Sequence, residues 1–535
     1  MRASCANLLV AAVAAARSAA AAVAAHSAAA KPPHLVVVLA DDLGWYDTSV
    51  HNPGAPTPSL KALADEGLIL ERHYVFRYCS PTRRSLLTGR FPTSISSVQP
   101  DGDKLCSDFL PLAATTLGEK LQTAGYVSHF VGKGHLGYAT TDHLPIRRGF
   151  ASHFGFLAGS ETYAHGGGDA NASAGAHDLW RDAGPARSDV PRMTYSTDAY
   201  AARFVEIASS HDPSSRLFVY FSVQNVHAPY QDPPEDDRGG PWPDFKLCPN
   251  CTYAQMLWRL DAAVANATDA LRRHCLWDET LLLFTADNGG IGPYANSHPL
   301  RGHKHDPWEG GTRATAFLAG GFLPDALRGQ STGAKLVHVA DWYPTFCALA
   351  GTDPTDDAVF DGIIRPIDGV DVWPMLTGAN ASQPRPITPI TEVSVMEAAP
   401  AGWWKLVTLA GQSQRYAEDA AAVDATDPCL SARQPDPPQP GRTDPVVTAP
   451  DCAVCNATRP CLYDVLNDPT ETANVASANP AVVARLAAAL ANASTYYVSG
   501  DLSADVMARY APADNASWDG YLAPCYVPRA TATIV

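Results

Sequence analysis

Positive charge is scarce in this chain: 39 lysines and arginines stand against 55 aspartates and glutamates, a formal net charge of −16. That balance argues against a nucleic-acid partner and against general adhesion to acidic polymers. Screening beyond roughly 8 Å at physiological salt still permits a local basic pocket, so any anion site has to be built from neighbouring residues. Long apolar runs are missing too. Arg17 interrupts the N-terminal one well short of the roughly 20 residues a spanning helix needs, and no later segment is long enough, which excludes a helical membrane span. Zinc ranks below disulfide formation, because neither Cys248-x-x-Cys251 nor Cys452-x-x-Cys455 is followed by a second pair or a histidine at finger spacing. No internal repeat is present.

What is there starts with length. At 535 residues the chain exceeds what one core usually supports, so one large and one smaller domain are expected. Met1-Arg2, the apolar stretch Leu8 to Ala16 and alanine-rich sequence to Ala30 read as a secretory signal peptide over residues 1–30. The secretory pathway follows, with export and lysosome both open. Ten cysteines outside that segment and Cys79 form an even set suited to disulfides: Cys106, Cys248, Cys251, Cys275, Cys347, Cys429, Cys452, Cys455, Cys461 and Cys525. Sequons at Asn171, Asn250, Asn266, Asn380, Asn456, Asn492 and Asn515 predict a glycosylated surface.

Leu35 to Leu39 is a β-branched run without polar alternation, as expected of a strand covered on both faces. Tyr126 to Val131 is a further strand candidate, and Leu217 to Ser222 and Leu281 to Thr285 are further buried-strand candidates. Helices are predicted from Thr57-Pro58-Ser59 to Gly67, over Thr115 to Ala124, and around Met256 to Leu271, where apolar residues keep helical spacing. The alternation predicts an α/β layer sandwich over 33–351. Composition changes beyond Gly351, with Asp368 to Val372 as a junction. A smaller C-terminal α+β domain is expected over 352–535, with strands at Trp403 to Val407 and Leu462 to Val465, a helix from Pro480 to Asn492, and a disulfide-tied loop from Asp427 to Cys461.

Polar residues gather where the predicted strands end. Asp41-Asp42 follows the first strand, Lys133 and His135 the second, Asn225 and His227 the third, and Asp287-Asn288 the fourth. Carboxyl ends of strands are where α/β folds place ligands. Asp41, Asp42, Asp287 and Asn288 offer hard oxygen atoms of the kind calcium or magnesium prefers, although each pair alone is also an ordinary turn sequence.

The most informative passage is Cys79-Ser80-Pro81-Thr82-Arg83 followed by Leu87-Thr88-Gly89. It resembles the modification site of sulfatases, Cys-x-Pro-x-Arg with a downstream Leu-Thr-Gly. Ala40-Asp41-Asp42-Leu43-Gly44, Gly132-Lys133-Gly134-His135, Val226-His227-Ala228-Pro229, Asp287-Asn288-Gly289-Gly290, Arg301-Gly302-His303-Lys304, Trp308-Glu309-Gly310-Gly311 and Leu462-Tyr463-Asp464 with Asp468 to Glu471 extend the likeness to a type I sulfatase, nearest the arylsulfatase B group. The resemblance implies an alkaline-phosphatase-like mixed sheet sandwiched by helices. It also implies oxidation of Cys79 to formylglycine by a formylglycine-generating enzyme during biosynthesis. The hydrated aldehyde attacks sulfur and then expels sulfate. Calcium would be held by Asp41, Asp42, Asp287 and Asn288 and would contact the oxygen at position 79. Arg83 and Lys133 would steady the aldehyde hydrate and His135 would take its proton. His227 would serve the departing alcohol and Lys304 the sulfate charge.

Two departures stand out. Gly134 occupies a position where the family usually carries tryptophan, and His303 and His305 replace bulkier neighbours of Lys304, so the cleft is expected to be reshaped. A sulfated small molecule or carbohydrate is the implied substrate. A phosphoester or phosphonate hydrolase of the same superfamily and a non-catalytic sulfatase-like glycoprotein are the rival readings.

Overall fold

The computed structural model describes residues 31–96, 108–163, 178–186, 194–234, 251–292, 294–360, 363–399, 402–408, 455–493, 510–512 and 526–528. The expected signal peptide, the sequons at Asn171, Asn250 and Asn515, and most of the segment 427–461 lie outside them. Of the other sequons, Asn266, Asn380 and Asn492 are exposed and Asn456 is partly buried.

Among the described residues one large mixed sheet runs in the order Gln330–Ser331, Leu68–Ile69, Phe317–Ala319, Thr280–Ala286, His34–Ala40, Arg216–Ser222, Tyr126–Lys133, Ser152–Phe156, Trp180–Arg181 and Gly184–Pro185. Its five central strands, Thr280–Ala286 to Ser152–Phe156, are mutually parallel, with Val37 opposite both Tyr220 and Leu283. Every residue of His34–Ala40 and Thr280–Ala286 is buried, which is why these strands read as unbroken apolar runs. Helices Pro58–Asp65 and Ser196–Ser210 both pack on Cys251–Arg273, Cys79–Thr88, Leu117–Thr123 and Trp342–Ala350 pack on one another, and the two groups flank the sheet.

Local chemistry sets the boundaries. The helix expected from Thr115 is capped one residue later: Thr116 Oγ1 accepts from Glu119 N at 3.2 Å and Glu119 Oε2 accepts from Thr116 N at 2.7 Å. The helix after Thr57 ends with Glu66 as its cap, one residue short of Gly67.

A second, antiparallel sheet contains Ile387–Thr391, Ser394–Ala399, Gly402–Val407 and Cys461–Asp464. Side chains alternate along Gly402–Val407. Leu406 packs with Val395 and Leu462 against Leu486 and Leu490 of helix Pro480–Ala493. Trp403 and Val407 face the large domain with Tyr74 and Trp308. Val372, Trp373, Met375 and Leu376 belong to the main core, so the chain stays with the large sheet well past Gly351.

The cysteines require a correction. Cys455 is bonded to Cys461, which removes it as a zinc partner of Cys452 and ties down the end of the expected loop. Cys275 and Cys347 are free, the first exposed and the second buried in helix Trp342–Ala350, so the even set is not fully used in disulfides.

Candidate active site

Cys79 opens the ten-residue helix Cys79–Thr88, every residue of which is buried, and is itself 1% exposed. Tyr78 enters in an extended conformation without a side-chain cap, so Cys79 stands at the open N-terminus of the helix. The helix stops at Gly89, whose φ of +68° and approach to the Tyr343 ring leave no room for a Cβ.

The strand ends converge on this cysteine. Cys79 Sγ donates to Asp41 Oδ1 at 3.4 Å, and Lys133 Nζ donates to Asp41 Oδ2 at 2.6 Å. Lys133 is the last residue of its strand. Gly132 before it has φ +98°, and its missing Cβ would fall 1.9 Å from Ser222 O, so only glycine allows the two strands to close here. Arg83, one helical turn after Cys79, is completely buried. It donates from Nε and Nη2 to Asp287 Oδ2 at 3.0 and 2.6 Å, and from Nη1 to Ser222 Oγ. Lys304 Nζ lies 2.8 and 2.9 Å from the two oxygens of Asp42, while Asn288 Nδ2 donates to Asp42 Oδ1 at 2.7 Å. His227 Nε2 is 3.7 Å from Asp42 Oδ2. His135 is buried two residues after Lys133, in a left-handed conformation (φ 53°), with its backbone N–H on Leu157 O at 3.0 Å.

Three carboxylates and three cations thus share one dry space, and the balance shows in their proton affinities. Burial and the neighbouring Asp41 raise the Asp287 carboxyl above its usual range, against the pull of Arg83. Burial also works on Asp42, but Lys304 and His227 outweigh it and hold that carboxyl low. Burial disfavours the Lys133 and Lys304 charges. Asp41 and Asp42 more than compensate, and both ammonium groups stay charged. Burial, Asp287 and Asp41 push the Cys79 thiol well up, the opposite of what a thiolate nucleophile needs. Burial lowers His227 to about 3. Its Nδ1 lies 2.6 Å from Ala228 O, which can only accept, so the neutral ring presents a bare Nε2 and must take up a proton before it can donate one.

The oxygen donors among these residues, Asp41, Asp42 and Asn288, are of the kind a hard divalent cation takes. Ligand atoms of Asp41, Asp42, Cys79 and His227 lie within 4.8 Å of one another. Asn288 Oδ1 is buried without a hydrogen-bond partner, as a carbonyl oxygen kept for a metal would be. Asp287 is outside that grouping of four, with one oxygen turned to Arg83.

Residues 33–352 match the family model described as Sulfatase. The chain belongs to the sulfatase family. Arylsulfatase J of Mus musculus is 36% identical over 351 residues, covering 63% of this chain and 54% of that protein. Arylsulfatase G of Homo sapiens is 30% identical over 376 residues, 61% of this chain and 67% of that one. The chain therefore spans about half to two thirds of these relatives' length. Among solved structures, Ps i-CgsB in complex with k-i-k-neocarrahexaose superposes with a TM-score of 0.67 at 22% identity, over 88% of this chain and 94% of that one. The PsFucS1 sulfatase from Pseudoalteromonas sp. gives 0.64 at 19%, over 91% and 96%. Both show the shared fold.

Some site features have no sequence signal. Ser222 reads as a strand residue, yet it receives Arg83. Tyr163 holds the His227 loop by donating its hydroxyl to His227 O at 2.8 Å. His303 makes a local structural contact, with Nδ1 2.8 Å from Lys304 O. A Cβ at Gly134 would meet the backbone at Phe156 O, 3.1 Å away, and at Leu157 Cα, 3.4 Å away, so a larger residue would fit there only tightly.

Proposed function

We propose that this protein hydrolyses sulfate monoesters, with Cys79 in its formylglycine form and a calcium ion held by Asp41, Asp42, Asp287 and Asn288. The observation that carries this reading is the position of Cys79: at a helix N-terminus, 3.4 Å from Asp41, in a ring of carboxylates and cations assembled from three strand ends, the Cys79–Thr88 helix and the loop that carries Lys304. Formylglycine supplies a hydrated aldehyde as nucleophile, and calcium supplies Lewis acidity toward a sulfate oxygen. Burial of the entire Cys79–Thr88 helix requires the formylglycine-generating enzyme to act before this part of the chain folds.

The chain's own residues divide the remaining work. Lys133 and Arg83 fix the carboxylates of Asp41 and Asp287 beside position 79 and keep positive charge next to the nucleophile. Lys304, held against both oxygens of Asp42, offsets the charge that develops on sulfate. His135 accepts a proton on the nucleophile side. His227, once protonated, hydrogen-bonds the departing alcohol oxygen. The substrate is a sulfated sugar or related small molecule met in the secretory pathway, outside the cell or in the lysosome. Nearness to the arylsulfatase B group rests on motif order alone.

Rates on 4-nitrophenyl sulfate and 4-nitrophenyl phosphate test the reading. Faster sulfate hydrolysis is expected, and a preference for phosphate would overturn it.

A further inference from the structure

Tyr230 and Tyr294 stand together beside the site, and the chemistry above uses neither. Tyr230 closes the segment His227-Ala228-Pro229-Tyr230, and Tyr294 follows the Asp287 to Gly290 turn. Their ring centroids are 4.2 Å apart at 39°. Tyr294 is 41% exposed and, with Val359 and Leu466, one of only three large hydrophobic side chains exposed among the described residues. Tyr230 is backed on its other side by the buried Tyr253 ring, 6.0 Å away at 68°. An inner ring held between two others is rigid, and an outer ring left open to solvent is available.

The second observation concerns the Tyr230 hydroxyl. It is buried and has no hydrogen-bond partner, although it lies close enough to Asp42 and Lys304 to feel both charges. A buried hydroxyl left unpaired is costly, and such a group persists where a ligand supplies the missing bond.

We infer that Tyr230 and Tyr294 form a platform for the ring of the alcohol that carries the sulfate. The ring rests on the Tyr294 face, and a hydroxyl or acetamido substituent next to the ester bonds to Tyr230. The inference rests on the sulfate-ester reading of the neighbouring site. It narrows the substrate to the sulfate of a six-membered sugar ring with a polar neighbour, because an aryl sulfate offers the flat face without the substituent. Two residues, Ala228 and Pro229, separate Tyr230 from His227, which puts the platform on the leaving-group side.

Titration calorimetry on the Cys79→Ala protein, which cannot turn over, tests this with three probes: inorganic sulfate, N-acetylgalactosamine 4-sulfate and 4-nitrophenyl sulfate. Tyr294→Ala should weaken both ring esters about fivefold to tenfold and leave inorganic sulfate unchanged. Tyr230→Phe should weaken the sugar sulfate by a similar factor and the aryl sulfate hardly at all. Ring esters that bind no tighter than inorganic sulfate, or that ignore both substitutions, overturn the platform while leaving the sulfate site intact. Ring esters that respond to Tyr294→Ala but are not displaced by inorganic sulfate uphold the platform and overturn the sulfate-site reading.

Discussion

Replacing Lys405 with methionine strands two carboxylates in the dry contact between the large domain and the small sheet. Lys405, Glu309 and Glu471 all have fully buried side chains, and Lys405 Nζ lies 3.0 Å from an oxygen of each acid. Glu309 would keep Tyr74 OH at 2.9 Å, Arg72 at 3.6 Å and Arg313 at 3.8 Å, so most of the loss falls on Glu471. Breaking a buried pair by removing one partner costs about 3–5 kcal/mol. Glu471 limits this cost. Burial first, and Glu309 next, raise its carboxyl to about 7 against the pull of Lys405, so without the lysine it binds a proton at neutral pH. The expected loss is therefore near the lower end, about 3 kcal/mol at pH 7.5. A raised folded pKa gives stability that is complete below the unfolded value and is lost as pH rises through the folded one, so the defect shrinks toward pH 5. Thermal unfolding followed by circular dichroism at both pH values is the assay. Lys405→Met with Glu471→Gln should recover most of the loss, since no bare carboxylate remains. A Lys405→Met protein as stable as the parent at pH 7.5 would refute the argument.

Glu471→Gln alone should flatten the fall in stability between pH 5 and 8; an unchanged slope in the same melts counts against Glu471 as its source. Asn288→Ala removes the buried carbonyl oxygen left for a cation, so calcium should raise its melting temperature much less than the parent's, and an equal rise would take Asn288 out of the ligand set. Lys304→Ala should lower kcat/KM for 4-nitrophenyl sulfate by about 100-fold or more, with the fold preserved by circular dichroism. Cys79→Ala should abolish turnover without unfolding the chain, and retained activity would exclude position 79 as the nucleophile.

The parallel centre of the fold was legible chiefly in His34–Ala40 and Thr280–Ala286, which are buried on both faces and read as apolar runs. The same feature made Asp41 and Asp287 stand out at their ends. Pairing was not legible. Arg83 and Asp287 are 204 positions apart, and which lysine meets which carboxylate follows from strand order alone. Lys405 falls in the expected strand Trp403 to Val407, but nothing in that strand's sequence signals its burial, which arises because the small sheet is covered on both sides. Cysteine parity pointed to disulfides in general and could not reveal that Cys347 is a free thiol inside a core helix.

The most direct test is mass spectrometry of the tryptic peptide that begins at Tyr78, taken from protein that hydrolyses sulfate esters. An aldehyde in place of the Cys79 thiol is the expected result. An intact thiol throughout fully active protein would contradict the account.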